Sequence, residues 1–453
     1  MSDQYGANDR YGMDDRYGAS AMADENVAKD VEYTGRYLVL LDQDDPKAGL
    51  DALRSRAGVS VAEHVRAGDS AGPALEQGGT VVLDALGVAI VEAVQGDQRL
   101  ALEATVASTR ALVGAEPERV LHAYKEETAA HPVEYFEGYL HGVADLVERV
   151  RGNGQAGPVR ARAAAGPLWS EAQATWGLQA VLATETALTG RGVGVAILDT
   201  GIDAAHPDLA GRVKASASFV PGQAVDDGHG HGTHCAGTAC GPRNPSSGPR
   251  YGVACEADIY AGKVLSNQGR GSDGMILDGI NWALAQEGVR VISMSLGGAV
   301  ALGAGFSRIY ERAARRCLNN GKVIVAAAGN ESLRPLDLQP VGTPANCPSI
   351  LAVAAVAPDF TIAPFSCAGL NPVGGEVDVA GPGVGVLSTW PNGGYRRLNG
   401  TSMATPHVAG VTALLWEQNP NATAAQIVTL LRSGAKHLGL PVSDAGRGLV
   451  QAP

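Results

Sequence analysis

The chain has 453 residues, roughly three times the ~150 residues typical of one domain, so it is long enough to form a large domain with a smaller one beside it. Hydrophobic residues make up 45% and charged residues 18%, which is the balance of a folded chain and excludes a disordered or collagen-like one. The formal net charge of −12 lacks the basic footprint of proteins that bind nucleic acids or anionic membranes. We therefore expect neither nucleic acid nor a membrane as a partner.

The first 34 residues repeat Tyr-Gly at positions 5, 11 and 17 and contain almost no aliphatic residues, which predicts a disordered leader. No charged segment followed by an apolar one opens the sequence, so no signal peptide is predicted. The expected location is cytoplasmic, with secretion by a non-standard route left open. Apolar stretches reach only about eight residues, well short of the ~20 that a membrane helix needs.

Residues 35–124 show the order β-α-β-β-α-β, with predicted strands at 37–41, 80–85, 88–94 and 119–123 and predicted helices at 46–66 and 99–112. This order is typical of a small α+β ferredoxin-like domain. Residues 125–168 are predicted to form a helical extension and a linker. Apolar residues at 133, 136, 140, 143, 147 and 150 would line one helix face, and residues 152–167 are rich in Gly, Ala and Arg.

From residue 169 to 453 the pattern becomes α/β. Near-continuous apolar runs at 193–198, 291–295, 322–327 and 350–356 are typical of parallel strands buried on both faces. Helical segments at 272–286 and 306–319 lie between them. We predict a doubly wound, mostly parallel sheet for this domain.

Three polar segments of this domain point to chemistry. Asp199 ends the first buried strand, at the sheet edge where ligands bind in open α/β folds. Residues 227–238 contain three histidines, but their spacing is not that of a hydrolytic zinc helix. Residues 399–410 place Ser402 at a predicted helix N-terminus, where the unpaired amides and the helix dipole favour a developing oxyanion.

The three segments in this order resemble the subtilisin-like serine peptidases. The matching stretches are Asp-Thr-Gly-Ile-Asp from residue 199, His-Gly-Thr-His-Cys-Ala-Gly-Thr from 231 and Gly-Thr-Ser-Met-Ala-Thr-Pro-His-Val-Ala-Gly from 400. The resemblance implies a serine endopeptidase in which Ser402 is the nucleophile, His231 the base and Asp199 its orienting carboxylate.

The resemblance also assigns the surroundings of the reaction. Asn330, after a buried strand, matches the side chain that donates to the oxyanion. An edge segment that pairs with extended protein or peptide substrates corresponds to Ser295, Leu296 and Gly297, with Ala328 and Gly329 beside it. No cofactor is required for this chemistry. Asp208 matches a calcium ligand of the family, but the expected Asn-rich loop is replaced, so structural calcium stays an open expectation.

The small domain, residues 35–124, resembles the inhibitory propeptide of these enzymes, an inhibitor I9-like domain. This implies a zymogen whose own prodomain acts in cis as inhibitor and chaperone. Maturation is expected near Tyr124 or within residues 152–167, because this chain adds residues 125–170 before the mature-like start. Cys235, next to the His231 motif, implies inhibition by mercurials, and whether Cys317 and Cys347 form a disulfide stays open.

Two other functions use the same residues. A peptide transpeptidase or macrocyclase would pass the same acyl-enzyme to an amine instead of water. A catalytically silent scaffold would keep the fold without turnover.

Overall fold

We analysed a computed structural model of the chain, which describes residues 31–59, 61–66, 68–76, 79–92, 96–124 and 169–453. The predicted leader up to residue 30 and the predicted helical extension and linker at 125–168 lie outside the described residues.

The N-terminal unit is a mostly antiparallel sheet with helices packed on it. Its elements are β1 (Tyr33–Leu41), α1 (Pro46–Ala57), β2 (Val61–Val65), α2 (Gly72–Glu76), β3 (Thr80–Leu83), β4 (Val88–Val91), α3 (Asp97–Ser108) and β5 (Leu112–Ala123). The strands lie in the order β5-β1-β4-β3-β2. Strands β1, β3, β4 and β5 reproduce the predicted ferredoxin-like arrangement.

Strand β2 and helix α2 are additional to the prediction. The expected helix at 46–66 ends at Ala57, because Gly58 adopts a left-handed conformation (φ 65°) and its amide closes the last turn on Leu53. The chain then forms β2, which pairs in parallel with β3 at the edge of the sheet. Strand β1 also begins at Tyr33, inside the residues predicted to form the leader.

The C-terminal unit contains the larger sheet. Its strands are β6 (Gly194–Asp199), β7 (Val213–Ser218), β8 (Asp258–Lys263), β9 (Arg270–Ser272), β10 (Val289–Met294), β11 (Leu296–Gly297), β12 (Val323–Ala327), β13 (Leu351–Val356), β14 (Val379–Pro382), β15 (Val386–Trp390) and β16 (Gly394–Leu398). Its helices are α4 (Trp176–Ala180), α5 (His231–Cys240), α6 (Asp273–Ala285), α7 (Arg308–Asn319), α8 (Thr401–Gln418), α9 (Ala424–Ser433) and α10 (Val442–Ala445).

Seven parallel strands form the central sheet in the order β14-β13-β12-β10-β6-β8-β7, which confirms the predicted doubly wound fold. Strands β6, β12 and β13 are buried along their whole length, as their apolar sequences predict. The next two strands in the chain, β7 and β8, lie on one side of β6 in the sheet, whereas β10 lies on its other side. The winding direction therefore reverses at β6, and Asp199 lies at its carboxyl end, where ligands bind in such sheets.

Helices α5 and α8 pack against each other and against this sheet, and both are buried, α5 throughout and α8 as far as Trp416. Among the helices that the structure describes, none is both long and apolar enough to cross a membrane.

The two units share a sheet. The end of β5 pairs antiparallel with β11 on one side and with β9 on the other, so residues 120–123 lie between two strands of the larger unit. This insertion defines a cleft whose edges are β11 and β9.

Candidate active site

Asp199 and His231 form a buried pair at the carboxyl end of β6. Nδ1 of His231 lies 2.7 Å from Oδ1 of Asp199, and both side chains are at most 1% exposed. Nε2 of His231 has no hydrogen-bond partner among the described residues. Burial alone would lower the pKa of His231, but the Asp199 charge, together with Cys235, raises it well above its ordinary value. The pair thus holds the ring with one nitrogen anchored and the other available to a reacting group.

Asp227, which the sequence analysis did not single out, organises the start of α5. Its carboxylate accepts five hydrogen bonds, from the backbone amides of His229, Gly230 and Thr233 and from the hydroxyls of Thr200 and Thr233. Burial would raise the pKa of Asp227, but these bonds hold it below its ordinary value. An Asp just before a helix is the sequence signal that could have indicated this role.

Helix α5 approaches β6 closely, and glycine makes this approach feasible. A Cβ on Gly232 would lie 2.2 Å from the carbonyl oxygen of Gly201 and 3.2 Å from Cβ of Asp199. The Gly232 amide donates to Thr200, which follows Asp199. The glycine after His231 therefore fixes the distance between the two members of the buried pair.

The other two histidines of the segment do not converge with His231 on a metal site. Nε2 of His234 binds the carbonyl oxygens of Val386 and Arg396, and burial lowers the pKa of His234 to about 3. His229 contacts His231 edge to face, with ring centroids 6.2 Å apart. The described group whose donor atoms could share an ion is instead Asp199, His231 and Cys235.

Ser402 lies in the first turn of α8, which begins at Thr401, one residue before the predicted start. Pro406 lies in the second turn of this helix, four residues after Ser402. Since proline has no amide hydrogen, the carbonyl oxygen of Ser402 loses its helical partner. That oxygen instead accepts hydrogen bonds from Oγ of Ser295 at 2.8 Å and Sγ of Cys235 at 3.5 Å.

The Ser402 hydroxyl donates to the carbonyl oxygen of Ser295 at 3.1 Å. Ser295 is 1% exposed and is bonded to Ser402 through both its hydroxyl and its carbonyl oxygen. Sγ of Cys235 also lies 3.9 Å from Nδ1 of His231, so one thiol touches both the serine and the histidine segments.

Asn330 lies beside the start of α8. Its Oδ1 accepts from the amide and the hydroxyl of Thr401, at 2.9 and 2.8 Å. Its Nδ2 lies 3.0 Å from the position that a Cβ on Gly400 would occupy. The amide is thus fixed against the two residues that precede Ser402, on the side of the helix N-terminus.

The cleft edges are β9 and β11, and the end of β5 fills the space between them. Leu296 is paired with Ala123 and Gly297 with His122, so the predicted substrate edge is paired with the end of β5. The opposite edge, Arg270–Ser272, was not predicted; it pairs with residues 120–122. The end of β5 is thus the middle strand of three in this cleft.

Tyr124, the last described residue after β5, fills a pocket at the end of the cleft and is 5% exposed. A Cβ on Gly297 would lie 2.1 Å from its hydroxyl, and one on Gly342 would lie 2.6 Å from it. The hydroxyl has no hydrogen-bond partner among the described residues. Burial, and then the proximity of Glu331 and Cys367, raise the pKa of Tyr124 well above its ordinary value.

Ala328 and Gly329, predicted near the substrate, form the wall behind this pocket. Ala328 is fully buried, and its carbonyl oxygen accepts from the amide of Gly342. Gly329 has a φ of 120°, and a Cβ there would lie 2.5 Å from a Glu331 oxygen and 2.9 Å from Sγ of Cys367. Neither residue is paired with β5 in the register of the cleft strands.

Carboxylates of β5 also reach two helices of the larger unit. Glu118, which is fully buried, accepts from the amide of Gly274 in α6 at 2.9 Å and is paired with Arg36. Glu116 accepts from the amide of Arg308 at the start of α7 at 2.9 Å. Negative charge at a helix N-terminus is stabilising, so these contacts hold the small unit in place.

The residues at Asp208 do not fit a calcium site. Its two carboxylate oxygens accept hydrogen bonds from the amide and hydroxyl of Ser246 and from the hydroxyls of Tyr251 and Tyr395. Burial would raise the pKa of Asp208, but these donors keep it below its ordinary value. The hydrogen-bond donors occupy the positions that metal ligands would share.

All six cysteines of the chain are described, and all are buried free thiols, including Cys317 and Cys347. The structure therefore contains no disulfide between that pair.

Comparison with known proteins places this site in a family. The sequence model of the subtilase family, peptidase S8, matches residues 190–449, which is more than half of the chain. The chain is 44% identical over 253 residues to subtilisin NAT of Bacillus subtilis subsp. natto, covering 55% of this chain and 62% of that protein. It is 43% identical over 264 residues to the subtilisin of Bacillus pumilus, covering 58% of this chain and 90% of that protein.

Among solved structures, sphericase matches with a TM-score of 0.54 and 31% identity. The match covers 63% of this chain and all of the sphericase chain. The match to subtilisin NAT spans less than two thirds of that protein's length.

Proposed function

The chain belongs to the subtilase family, and on this premise we propose that it is a serine endopeptidase whose triad is Asp199, His231 and Ser402. The observation that carries the proposal is the buried Asp199–His231 pair at 2.7 Å, with Nε2 of His231 unpartnered among the described residues. Ser402 lies on the neighbouring helix α8, its hydroxyl held on Ser295.

The proposed reaction begins when the Ser402 hydroxyl exchanges its hydrogen bond to Ser295 for one to Nε2 of His231. As Oγ attacks the scissile carbonyl carbon, Nε2 takes the hydroxyl proton, and Asp199 stabilises the resulting imidazolium. The Asn330 amide and the Ser402 backbone N–H donate to the oxyanion. His231 then gives the proton to the leaving amine, and water attacks the acyl-enzyme by the same proton path in reverse.

We further propose that residues 35–124 are an inhibitory prodomain and that the protein is made as a zymogen. The end of β5 occupies the cleft as a substrate strand would, with Tyr124 filling the terminal pocket. Glu116 and Glu118 anchor it to α7 and α6. Of the two expected maturation sites, this geometry supports cleavage after Tyr124; residues 152–167 lie outside the described chain.

Self-processing tests both proposals. The full chain and its Ser402→Ala variant are incubated, and the released N-terminal fragment is weighed by mass spectrometry. We expect a fragment that ends at Tyr124 from wild type and none from Ser402→Ala. A wild-type fragment ending elsewhere would contradict the proposed bond, and equal processing of both proteins would contradict the proposed nucleophile.

Product mass separates hydrolysis from transpeptidation, because hydrolysis adds one water to the products. We expect each cleaved peptide to gain 18 mass units (about the mass of water) in total, even when a competing amine is present. Ligated products as the main species would instead favour the transpeptidase.

A further inference from the structure

The cleft extends beyond the residues that the sequence assigned to substrate binding. Strand β9 ends at Ser272, which is paired with Val120, so the register carries Arg119 opposite Asp273. Counting back from Tyr124 as the residue before the cut, Arg119 occupies the sixth position of the bound strand, P6.

Asp273 and Arg119 form an ion pair at this point. Oδ2 of Asp273 accepts from the backbone amide of Arg119 at 2.8 Å and from its Nε at 3.0 Å. The Asp273 side chain is fully buried and that of Arg119 is 19% exposed. One carboxylate therefore binds both the backbone of the strand, which fixes its register, and the charged side chain.

The environment of Asp273 favours a cation. Its Oδ1 is buried, and a neighbouring group from the larger unit is the neutral hydroxyl of Tyr310 in α7. Glu116, the nearby acidic group, belongs to the bound strand and would leave with it, whereas Asp273 is the first residue of α6. Burial disfavours the charged guanidinium, yet Asp273 and Glu116 raise the pKa of Arg119 above its ordinary value.

From this geometry we infer that Asp273 is a specificity residue of the protease, which selects extended polypeptide substrates that carry Arg or Lys at P6. The inference rests on the proposed function. An uncharged P6 side chain would leave a carboxylate partly desolvated and unpaired, and an acidic one would add repulsion, so both should be cleaved more slowly.

The test uses full-length protein activated until it hydrolyses a blocked tetrapeptide with the sequence of residues 121–124. Acetylated, internally quenched peptides with the sequence of residues 119–128 then carry Arg, Gln or Glu at the first position. For wild type we expect kcat/KM to be about tenfold higher with Arg than with Gln, and lower again with Glu. For Asp273→Asn we expect the Arg and Gln peptides to be cleaved at equal rates.

Two controls keep the result interpretable. Asp273→Asn should cleave the tetrapeptide, which does not reach P6, at the wild-type rate, showing that the variant is folded. Asp278→Asn, which removes another carboxylate of α6, should keep the preference for Arg. Equal rates on all three long peptides with wild type would overturn the P6 assignment while leaving the protease intact. No hydrolysis of any peptide would overturn the proposed function itself.

Discussion

Ser295 and Ser402 are joined by two hydrogen bonds that run in opposite directions. The Ser402 hydroxyl donates to the carbonyl oxygen of Ser295, and the Ser295 hydroxyl donates to the carbonyl oxygen of Ser402. The second bond exists because Pro406 cannot supply the helical amide. Ser295 thus couples the substrate edge, which continues as β11, to the proposed nucleophile.

Replacing Ser295 by Ala should therefore impair turnover more than folding. We expect kcat to fall about tenfold with KM nearly unchanged, because the serine backbone loses its main anchor while the pocket stays intact. Steady-state kinetics on a peptide with Tyr before the cut gives both values. Ser293→Ala, two residues earlier in the chain on β10 and equally buried, should behave as wild type. Equal kinetics of Ser295→Ala and wild type would contradict this role.

Binding of the prodomain to the larger unit should weaken as pH rises. Asp278 on α6 accepts from the amide of Ala71 at 2.6 Å and faces Ser70 and the charge of Asp69, all in the loop between β2 and α2. Burial under that loop raises the pKa of Asp278 to about 7. When the loop leaves, the carboxyl returns toward its exposed pKa of about 3.9.

A carboxyl whose pKa is raised in the bound state contributes fully to prodomain binding below about pH 4, where it is protonated in both states. This contribution to the binding free energy is lost as pH rises to about 7. We therefore expect Asp278→Asn, which keeps the acceptor without the charge, to lengthen the lag before activity appears by about tenfold or more relative to wild type at pH 8, and far less at pH 5. Asp337→Asn, at an exposed site, is the control. A lag ratio independent of pH would show that Asp278 does not titrate in this interface.

Asp208 should stabilise the protein through hydrogen bonds and not through a metal. Asp208→Asn leaves the donors of Ser246, Tyr251 and Tyr395 without a charged acceptor. We expect the free energy of unfolding to fall by about 1–3 kcal/mol, seen as a Tm lower by a few degrees. Because the folded pKa of Asp208 is lowered, the difference between wild type and variant should be complete above about pH 4 and shrink as pH falls below it. A chelator that lowers the Tm of wild type but not of Asp208→Asn would contradict this assignment.

Mercuric ion should inhibit the protein through Cys235. Its Sγ lies 3.9 Å from His231 and 3.5 Å from the Ser402 carbonyl oxygen, so a metal on the sulfur would displace both segments. We expect Cys235→Ala to keep its activity after one equivalent of mercuric ion that inactivates wild type. Cys317→Ala, a buried thiol in α7, should remain sensitive. Equal sensitivity of Cys235→Ala and wild type would place the inhibition elsewhere.

The parts of the structure that the sequence predicted are those that depend on residues close together in the chain. The apolar runs predicted the buried strands, the end of the first run predicted the position of Asp199, and the family resemblance indicated Asn330. Residues that act through long-range register were not predictable. Asp273 opposite Arg119 depends on the pairing of β5 with β9, and Ser272 before it gave no sign of a cleft edge.

One local expectation was wrong for an identifiable reason, and a second position has surroundings that its sequence did not indicate. The apolar spacing of residues 46–66 suits a helix throughout, but Gly58 ends α1 and the chain forms β2 instead. Asp208 matches a calcium ligand by its neighbours in sequence, whereas Ser246, Tyr251 and Tyr395 come from distant segments and bind both of its oxygens.

Fluorophosphonate labelling tests the proposed nucleophile most directly. Wild type and Ser402→Ala are labelled after release of the prodomain, with and without chelator, and the modified residue is mapped by mass spectrometry. We predict one label, on Ser402 of wild type, at the same rate with chelator present. Labelling of Ser402→Ala at the wild-type rate, or no label on wild type after the cleft has been emptied by limited proteolysis, would contradict the proposed triad.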